Sequence, residues 1–567
     1  MNKLLYALLL LIELALVSSK VISTNDLKGA LSQVNPGDII ELQSGLYEDI
    51  PYYLKGGTSG NPIKIKSAPG ATVIFSGNEK NCIFFAKGIS YLTIEGPMEF
   101  EDSRCGVEIL NGKYINITGL DIHDMKDFGL IISGHNNIIY NNTIQACVQR
   151  NSYYHESTYS GWDPCLAVHE ASDLGISTNI IIEKNIIRYG YGEGIKIFKC
   201  DGCKIINNNI TNTYNVSLFI EASKNIIIDK NIIKVTNDKY NSRYGKACGI
   251  VLKPQNGRYL IEDVIITNNI IISTNGGIFY FSERDEGGYD NIKILHNTLW
   301  KVSYSPIIFT YPINVPSDCE MKNNFIYYDK EVKFIPKSSW SLGYNYYYNT
   351  YTVPSIYSDT TSKAAKKLDI STIFNKLPGC EEYNYNHDAN IDIQCFHPSK
   401  TPSDFNLYHT GIAPKTKVND DYSNCERSPS TPSIGAFEYP IGCSEGGEPD
   451  ENKYDVKFKI NVCTSGSQVV KMIGSFCSWE AGGCPAMKDE GNCNWSYTIR
   501  EGTSLSFSYK FAIVLGSSIS KIESDPNRRF DGYSLASLAE YSTDGKYESC
   551  SFVKSGNIIT LFCAWRT

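Results

Sequence analysis

Lys196, Glu221, Lys253 and His169 are the residues whose types and spacing best suit catalysis. Each falls in a short strand-like phrase that returns along the chain: CLAVHE, EGIKIF, VSLFIE and CGIVLK. Alternate residues of a strand point to opposite faces. With the aliphatics turned inward, these polar residues turn outward, and stacking of the phrases about 4.8 Å apart gathers them on one wall. Such a set suits two chemistries. Elimination on an acidic sugar needs a base beside the carboxylate and a cation to neutralise it; Lys196 or Lys253 supplies the base, with Arg243 or Arg284 assisting. Hydrolysis needs two carboxyl groups about 5–9.5 Å apart, and Glu221 with Asp163 or Glu193 is the candidate pair. The alternative is an ordinary solvated sheet face carrying Lys–Glu pairs.

The phrases define two outward columns. One reads Glu108, Ile131, Ala167, Lys196, Phe219, Val251, Phe279, and the other Leu110, Ser133, His169, Phe198, Glu221, Lys253, Phe281. Phe198 and Phe219 offer flat faces to a sugar ring. Two insertions fall beside them, Gln149–Pro164 with Trp162 and Lys234–Ala247 with Arg243. Long loops at one level of a regular coil build a wall or lid, so Trp162, Phe198, Phe219 and Arg243 are the expected groove contacts.

A second phrase sets the frame: IIYNNTI, IIIEKNII, KIINNNIT, IIIDKNII, VIITNNII, IKILHNTL. Its asparagines align as Asn142, Asn185, Asn209, Asn231, Asn269, Asn297 and Asn324, with a basic period near 22. The runs are too short for helices and rich in isoleucine, which favours strands. One turn cannot bury its apolar face alone, but stacked turns can. Asparagine at a fixed place tolerates a left-handed turn, and its amide can bond the next amide in the stack.

This pattern resembles the right-handed parallel β-helix repeat proteins. NPGDIIELQSGLYED (Asn35–Asp49) and GTSGNPIKIKSAPGATVIFSG (Gly57–Gly77) look like the opening rungs of secreted members that cleave alginate, chondroitin-type chains and pectate. DFNLYHTGIAP, then Asp421, Arg427 and SIGAFEY (Ser433–Tyr439), looks like their closing segment. The fold hosts lyases, hydrolases, epimerases and inert stalks, so the resemblance implies the fold more firmly than the reaction.

The expected organisation is a signal peptide over 1–19, a β-helix over 20–440, a polar linker over 441–452 and a small β-sandwich over 453–567. The fold class is therefore all-β, a right-handed parallel β-helix followed by a small antiparallel β-sandwich. Lys3, the apolar run Leu4–Val17 and Val17-Ser18-Ser19 form the signal. No later stretch is long and apolar enough to span a membrane. All 18 cysteines follow the signal, which suits an oxidising, extracellular destination. Cys200 and Cys203 form a CxxC read as a disulfide rather than a zinc half-site. Sequons stand at Asn116, Asn141, Asn209, Asn215 and Asn494. A net charge of −8 with no basic block argues against nucleic acid as a partner. No cofactor is expected: the sequence allows a structural calcium ion, yet no calcium-loop spacing is present.

After the linker, VVKMIGSFCSWEAGGCPAMK (Val469–Lys488), NWSYTI, FSYKF, IESDPNRRF (Ile522–Phe530) and ITLFCAWR resemble, in order, the family 20 starch-binding modules. The resemblance implies α-glucan binding by Trp479, Lys510 and Asn527. Ile522 stands where the family has a second stacking tryptophan, which weakens the platform. Trp495 matches a buried core tryptophan. Together these features describe a secreted carbohydrate-binding protein whose β-helix binds and cleaves a polysaccharide. The alternative is a non-catalytic lectin, adhesin or wall protein with the β-helix as a rigid stalk.

Overall fold

The computed structural model describes residues 19–48, 50–151, 163–171, 175–236, 248–255, 261–282, 287–303, 305–309, 316–328, 340–348, 361–365, 396, 398, 407 and 409–438. Beyond these it describes 455–464, 468–474, 486–491, 493–499, 506–515, 518–522, 528–531, 544–547, 550–555 and 558–564. The chain divides into two compact units, Met1–Ile441 and Gly442–Thr567.

The first unit is a coil of parallel strands in which each strand pairs with its counterpart one turn away. One face runs through Leu130–His135, Pro164–His169, Glu193–Phe198, Val216–Glu221 and Cys248–Lys253 to Gly276–Tyr280. A second passes through Ile181–Glu183, Lys204–Ile206 and Lys224–Asp229. A third passes through Ile186–Arg188, Asn209–Thr211 and Ile232–Lys234. Burial alternates along the strands of the second and third faces, whereas on the first face several outward residues, Ile131, Ser133 and Ala167 among them, are buried as well; the inward residues are mostly isoleucine, leucine and valine, such as Ile182, Ile205 and Ile228 at 0% exposure. Each such side chain withdrawn from water contributes roughly 1.5–3 kcal/mol. The first described turn pairs Ser19–Ile22 with Ile39–Leu42, and between them the short helix Leu27–Ser32 buries Leu27 and Leu31.

The asparagine ladder is present. Nδ2 of each member donates to Oδ1 of the next through Asn142, Asn185, Asn208, Asn231, Asn269, Asn297, Asn324 and Asn345, at 2.9–3.1 Å. Two sequence expectations are corrected. The ladder member in KIINNNIT is Asn208, not Asn209; Asn209 opens the next strand and is exposed. Three consecutive asparagines hide the register, and burial decides it: with Asn208 in place the steps on either side are both 23 residues. Nor do the ladder asparagines adopt the left-handed conformation. The residue before each one does: Asn141, Lys184, Asn207, Lys230, Asn268, His296, Asn323 and Tyr344, with φ between 53° and 58°.

The closing segment binds this same corner. Lys230 Nζ donates to Asp420 Oδ2 (2.8 Å), Asn268 Nδ2 to the Asp420 carbonyl (3.1 Å) and Asn323 Nδ2 to the Ile412 carbonyl (2.7 Å). Arg427 is buried, donating to Asn268 Oδ1 and to the Gly435 and Ala436 carbonyls.

In the second unit, one sheet runs Lys488–Gly491, Asn494–Ile499, Asp455–Asn461, Ile558–Ala564, Cys550–Ser555, Asp544–Tyr547. The other joins Val469–Gly474, Ser506–Leu515 and Ser518–Ile522, with Arg528–Asp531 also on Ser506–Leu515. The pairing is antiparallel except between Asp455–Asn461 and Ile558–Ala564, which run parallel. The core holds Val456, Phe458, Ile460, Met472, Trp495, Tyr509, Phe511 and Leu561. Trp495 is buried and its Nε1 donates to the Val462 carbonyl (3.1 Å). Cys82–Cys105, Cys200–Cys203 and Cys463–Cys493 are bonded. Cys147, Cys165, Cys248 and Cys319 carry free thiols.

Candidate functional site

The outward columns lie in the stacking order that alternation requires. Glu108, Ile131, Ala167, Lys196, Phe219, Val251 and Phe279 are successive register partners. In the other column Ser133 pairs with His169, and Phe198 with Glu221, which pairs with Lys253. Residues far apart in the chain thus meet on one wall.

Lys196 is the centre of this wall. Its ammonium lies 3.2 Å from Glu221 Oε2 on the next turn and 3.9 Å from Glu193 Oε2 at the start of its own strand. It also sits 5.0 Å from the centroid of the Phe219 ring, an arrangement in which ring and cation attract. Phe198 packs edge-on to His169, with centroids 6.4 Å apart, and Lys199 covers the Phe198 ring. Lys199 in turn pairs with Glu170. Burial, and then the charge of Lys196, lower the pKa of His169, so its imidazole is neutral at neutral pH.

Glu193 owes its place to two close approaches. A Cβ at Gly192 would lie 1.9 Å from the Asp163 carbonyl oxygen, and one at Gly194 would lie 2.3 Å from that of Ser217. Only glycine lets the neighbouring turns press against both sides of this residue. Glu193 is left 2% exposed, and its Oε2 has no hydrogen-bond partner among the described residues. Burial pushes its carboxyl up to about 8; Lys196 opposes the shift, and Glu221 and Asp163 reinforce it. Both carboxyl groups reach one ammonium at 3.2 and 3.9 Å, so their separation lies below the upper end of the roughly 5–9.5 Å range that glycoside hydrolysis uses.

The structure thus brings Lys196, Glu221, Lys253, His169, Phe198 and Phe219 onto one face. Trp162, Arg243 and Arg284 lie outside the described residues, as do Trp479 and Asn527 of the second unit. Lys510 is buried at 8% exposure, on the strand opposite Ile473, while Ile522 is exposed. Sequence reasoning put Glu193 forward only as one of two partners for Glu221; the flanking glycines of GYGEGIKIF were the available signal for its burial. It missed Lys199 and Glu170, which lie just past the ends of their strands.

Elsewhere, Glu99, Glu101 and His123 bring ligand-type atoms within 4.8 Å of one another. His123 already meets Glu99 through Nε2 (3.0 Å) and Asp124 through Nδ1 (2.8 Å). Both of its ring nitrogens are thus met by carboxylates.

A family model described as "Right handed beta helix region" matches residues 71–233 and, overlapping, 167–299. Together with the parallel register of the turns, it makes the coil a right-handed β-helix. No curated protein matches the chain. Among solved structures, the chain is similar to XylC in complex with xylose at 12% identity, over 74% of this chain and 98% of that one, with a TM-score of 0.47. Pectate lyase Pel9A is similar at 16% identity, over 75% and 98%, with a TM-score of 0.41. The PL6 family alginate lyase AlyGC is similar at 15% identity with a TM-score of 0.40, over 62% of this chain; the match spans about half, 54%, of the lyase.

Proposed function

We propose that this protein is secreted, binds a polysaccharide across the outward columns of its β-helix, and cleaves it there. Lys196, Glu221, Lys253 and His169 are the reacting set, with Phe198 and Phe219 beneath the sugar rings and Trp162 and Arg243 as further sugar contacts. The observation that supports this most is the ammonium of Lys196, held between Glu221 and Glu193 and seated on Phe219, in a column whose other members include the apolar Ile131, Ala167 and Val251. An ion pair on an aromatic surface suits a sugar, whose ring stacks while its hydroxyl or carboxylate groups take up the charges.

The second unit is the anchor in this reading. Trp479, Lys510 and Asn527 hold an α-glucan, and tethering raises the local concentration of polysaccharide at the coil. Retention of the full chain on insoluble starch tests it; a Trp479→Ala protein that is retained as well as the parent removes the α-glucan assignment. Cleavage is tested by incubating the protein with amylose, xylan, polygalacturonate, alginate and chondroitin sulfate. New reducing ends alone indicate hydrolysis, and an unsaturated, ultraviolet-absorbing product indicates elimination. Lys196→Ala and Glu221→Ala should each lower the rate at least about 100-fold. No product from any polymer leaves the stalk-like lectin as the better reading.

A further inference from the structure

We propose that Glu193 is the proton donor of the cleavage site, handing its carboxyl proton to the glycosidic oxygen that leaves when the polysaccharide is cut. This rests on the cleavage reading above. The geometry sets Glu193, at the buried start of the Lys196 strand, apart from the carboxyl groups in the outward columns. Glu221 is taken up by its 3.2 Å ion pair with Lys196, whereas Glu193 stands 3.9 Å from the same ammonium. Its Oε2 is buried, faces that ammonium, and has no hydrogen-bond partner among the described residues. A buried carboxyl oxygen without a partner is costly unless the group is neutral or something else comes to meet it. For the proton to be handed over, the Lys196 ammonium, which lies nearer to Glu221, must move off Glu193 and open it to the outer face.

The groups facing Glu193 come from its own strand and the turns on either side. Lys196 is on its own strand, Asp163 on the turn before, Glu221 on the turn after and Lys253 one turn beyond. Burial outweighs the two lysines and keeps the carboxyl protonated up to about pH 8. An acid still loaded at neutral pH, beside a second carboxyl group that is ion-paired, is the division of labour that general acid catalysis requires.

The role is the same in either chemistry. In hydrolysis the glycosidic C–O bond breaks, the leaving oxygen takes the Glu193 proton, and water forms the new C–O bond. The proton released by that water passes to Glu221 and returns through solvent to Glu193. In elimination the neutral His169 takes the C–H proton and that electron pair becomes the C=C bond. The C–O bond then breaks, and the departing oxygen again takes the Glu193 proton.

Glu193→Gln is the test, made in the full-length protein on whichever of amylose, xylan, polygalacturonate, alginate or chondroitin sulfate the parent cleaves. The amide copies the shape of the neutral acid but has no proton to give. The expected result is a fall in kcat of at least about 100-fold with little change in KM. The alkaline limb of the pH–kcat profile, centred near 8 in the parent, should also disappear. Glu193→Asp keeps an acid and should retain more rate than E193Q. A parental rate or a surviving alkaline limb in E193Q, or an E193Q faster than E193D, overturns the proposal while the cleavage reading stands on Lys196→Ala and Glu221→Ala. A parent that cleaves none of the polymers removes both.

Discussion

In the coil, Asn208 has an asparagine one turn below it and another one turn above, and its side chain bonds to both. In the terminal unit, Trp495 and Cys463 have no such counterparts. The tryptophan reaches a single carbonyl and the cysteine closes a single bridge to Cys493. The coil thus satisfies buried polar groups by repetition, and the terminal unit by individual pairings. Repetition also makes a wall predictable, because once one turn is placed its neighbours follow. A sandwich offers no such rule, and each binding residue must be located separately.

The largest expected effect tests the ladder. Asn208→Ala leaves the Asn185 backbone N–H and the Ile182 carbonyl without the amide they bond. Each buried group orphaned in this way costs about 1–3 kcal/mol, so a loss of roughly 3 kcal/mol is expected in urea unfolding. Asn209→Ala, one residue away and exposed, should change stability by less than about 0.5 kcal/mol. Both proteins should be made in a bacterial host, so that no glycan differs between them. A larger loss for Asn209→Ala than for Asn208→Ala would mean that the register is Asn209's. Loss of the Cys463–Cys493 bridge in the terminal unit should come close behind. A disulfide typically contributes about 2–4 kcal/mol, and hydrogen exchange should place the lost protection in Asp455–Asn461 and Asn494–Ile499 rather than in the coil.

These contrasts explain what the sequence revealed. Alternation and the repeat placed Lys196 over Ala167 and under Phe219, and set Glu221 beside Lys253, because a period of two admits only one outward set once the aliphatics are inside. The slip at Asn209 arose where three identical residues gave alternation nothing to choose between. The left-handed residue was missed because lysine, histidine and tyrosine occupy that place as well as asparagine, at Lys184, His296 and Tyr344. The energy of the ladder bonds overrides the ordinary preference of those side chains. The burial of Glu193 depends on how closely the Asp163 and Ser217 turns approach, a distance that no periodicity encodes. In the terminal unit nothing repeats, so the expected sugar contacts came from resemblance alone.

The remaining predictions sharpen the comparison through two glutamates with opposite pH behaviour. In the coil, burial raises the Glu193 carboxyl to about 8, far above its value in an unfolded chain. Between about pH 4.5 and pH 8 the folded state therefore holds a proton that the unfolded state has lost, and stability falls as pH rises through that window. Relative to Glu193→Gln, the parent should lose up to about 1.4 kcal/mol per pH unit there. Calorimetry of the pair from pH 5 to 8 checks this; parallel melting temperatures would mean that Glu193 ionises freely in the folded protein.

Glu490, in the terminal unit, should show the smallest effect and the opposite slope. Its carboxylate accepts from Lys457 (2.7 Å) and Ser496 (2.9 Å) and lies 3.4 Å from Lys459. The Lys457 hydrogen bond, followed by that of Ser496, lowers its pKa to about 2. Here the unfolded chain holds the extra proton between about pH 4.5 and 2, so the contribution is complete above that window and lost as pH falls through it. The group is exposed and screened by water, which limits it to about 1 kcal/mol or less. Glu490→Gln should therefore lower stability slightly at pH 7 and hardly at all at pH 2. The difference at pH 7 should shrink in 1 M salt, where screening acts over about 3 Å. A salt-independent loss would show that Glu490 acts through packing, like the coil's buried groups, and the contrast between the two units would then fail at this residue.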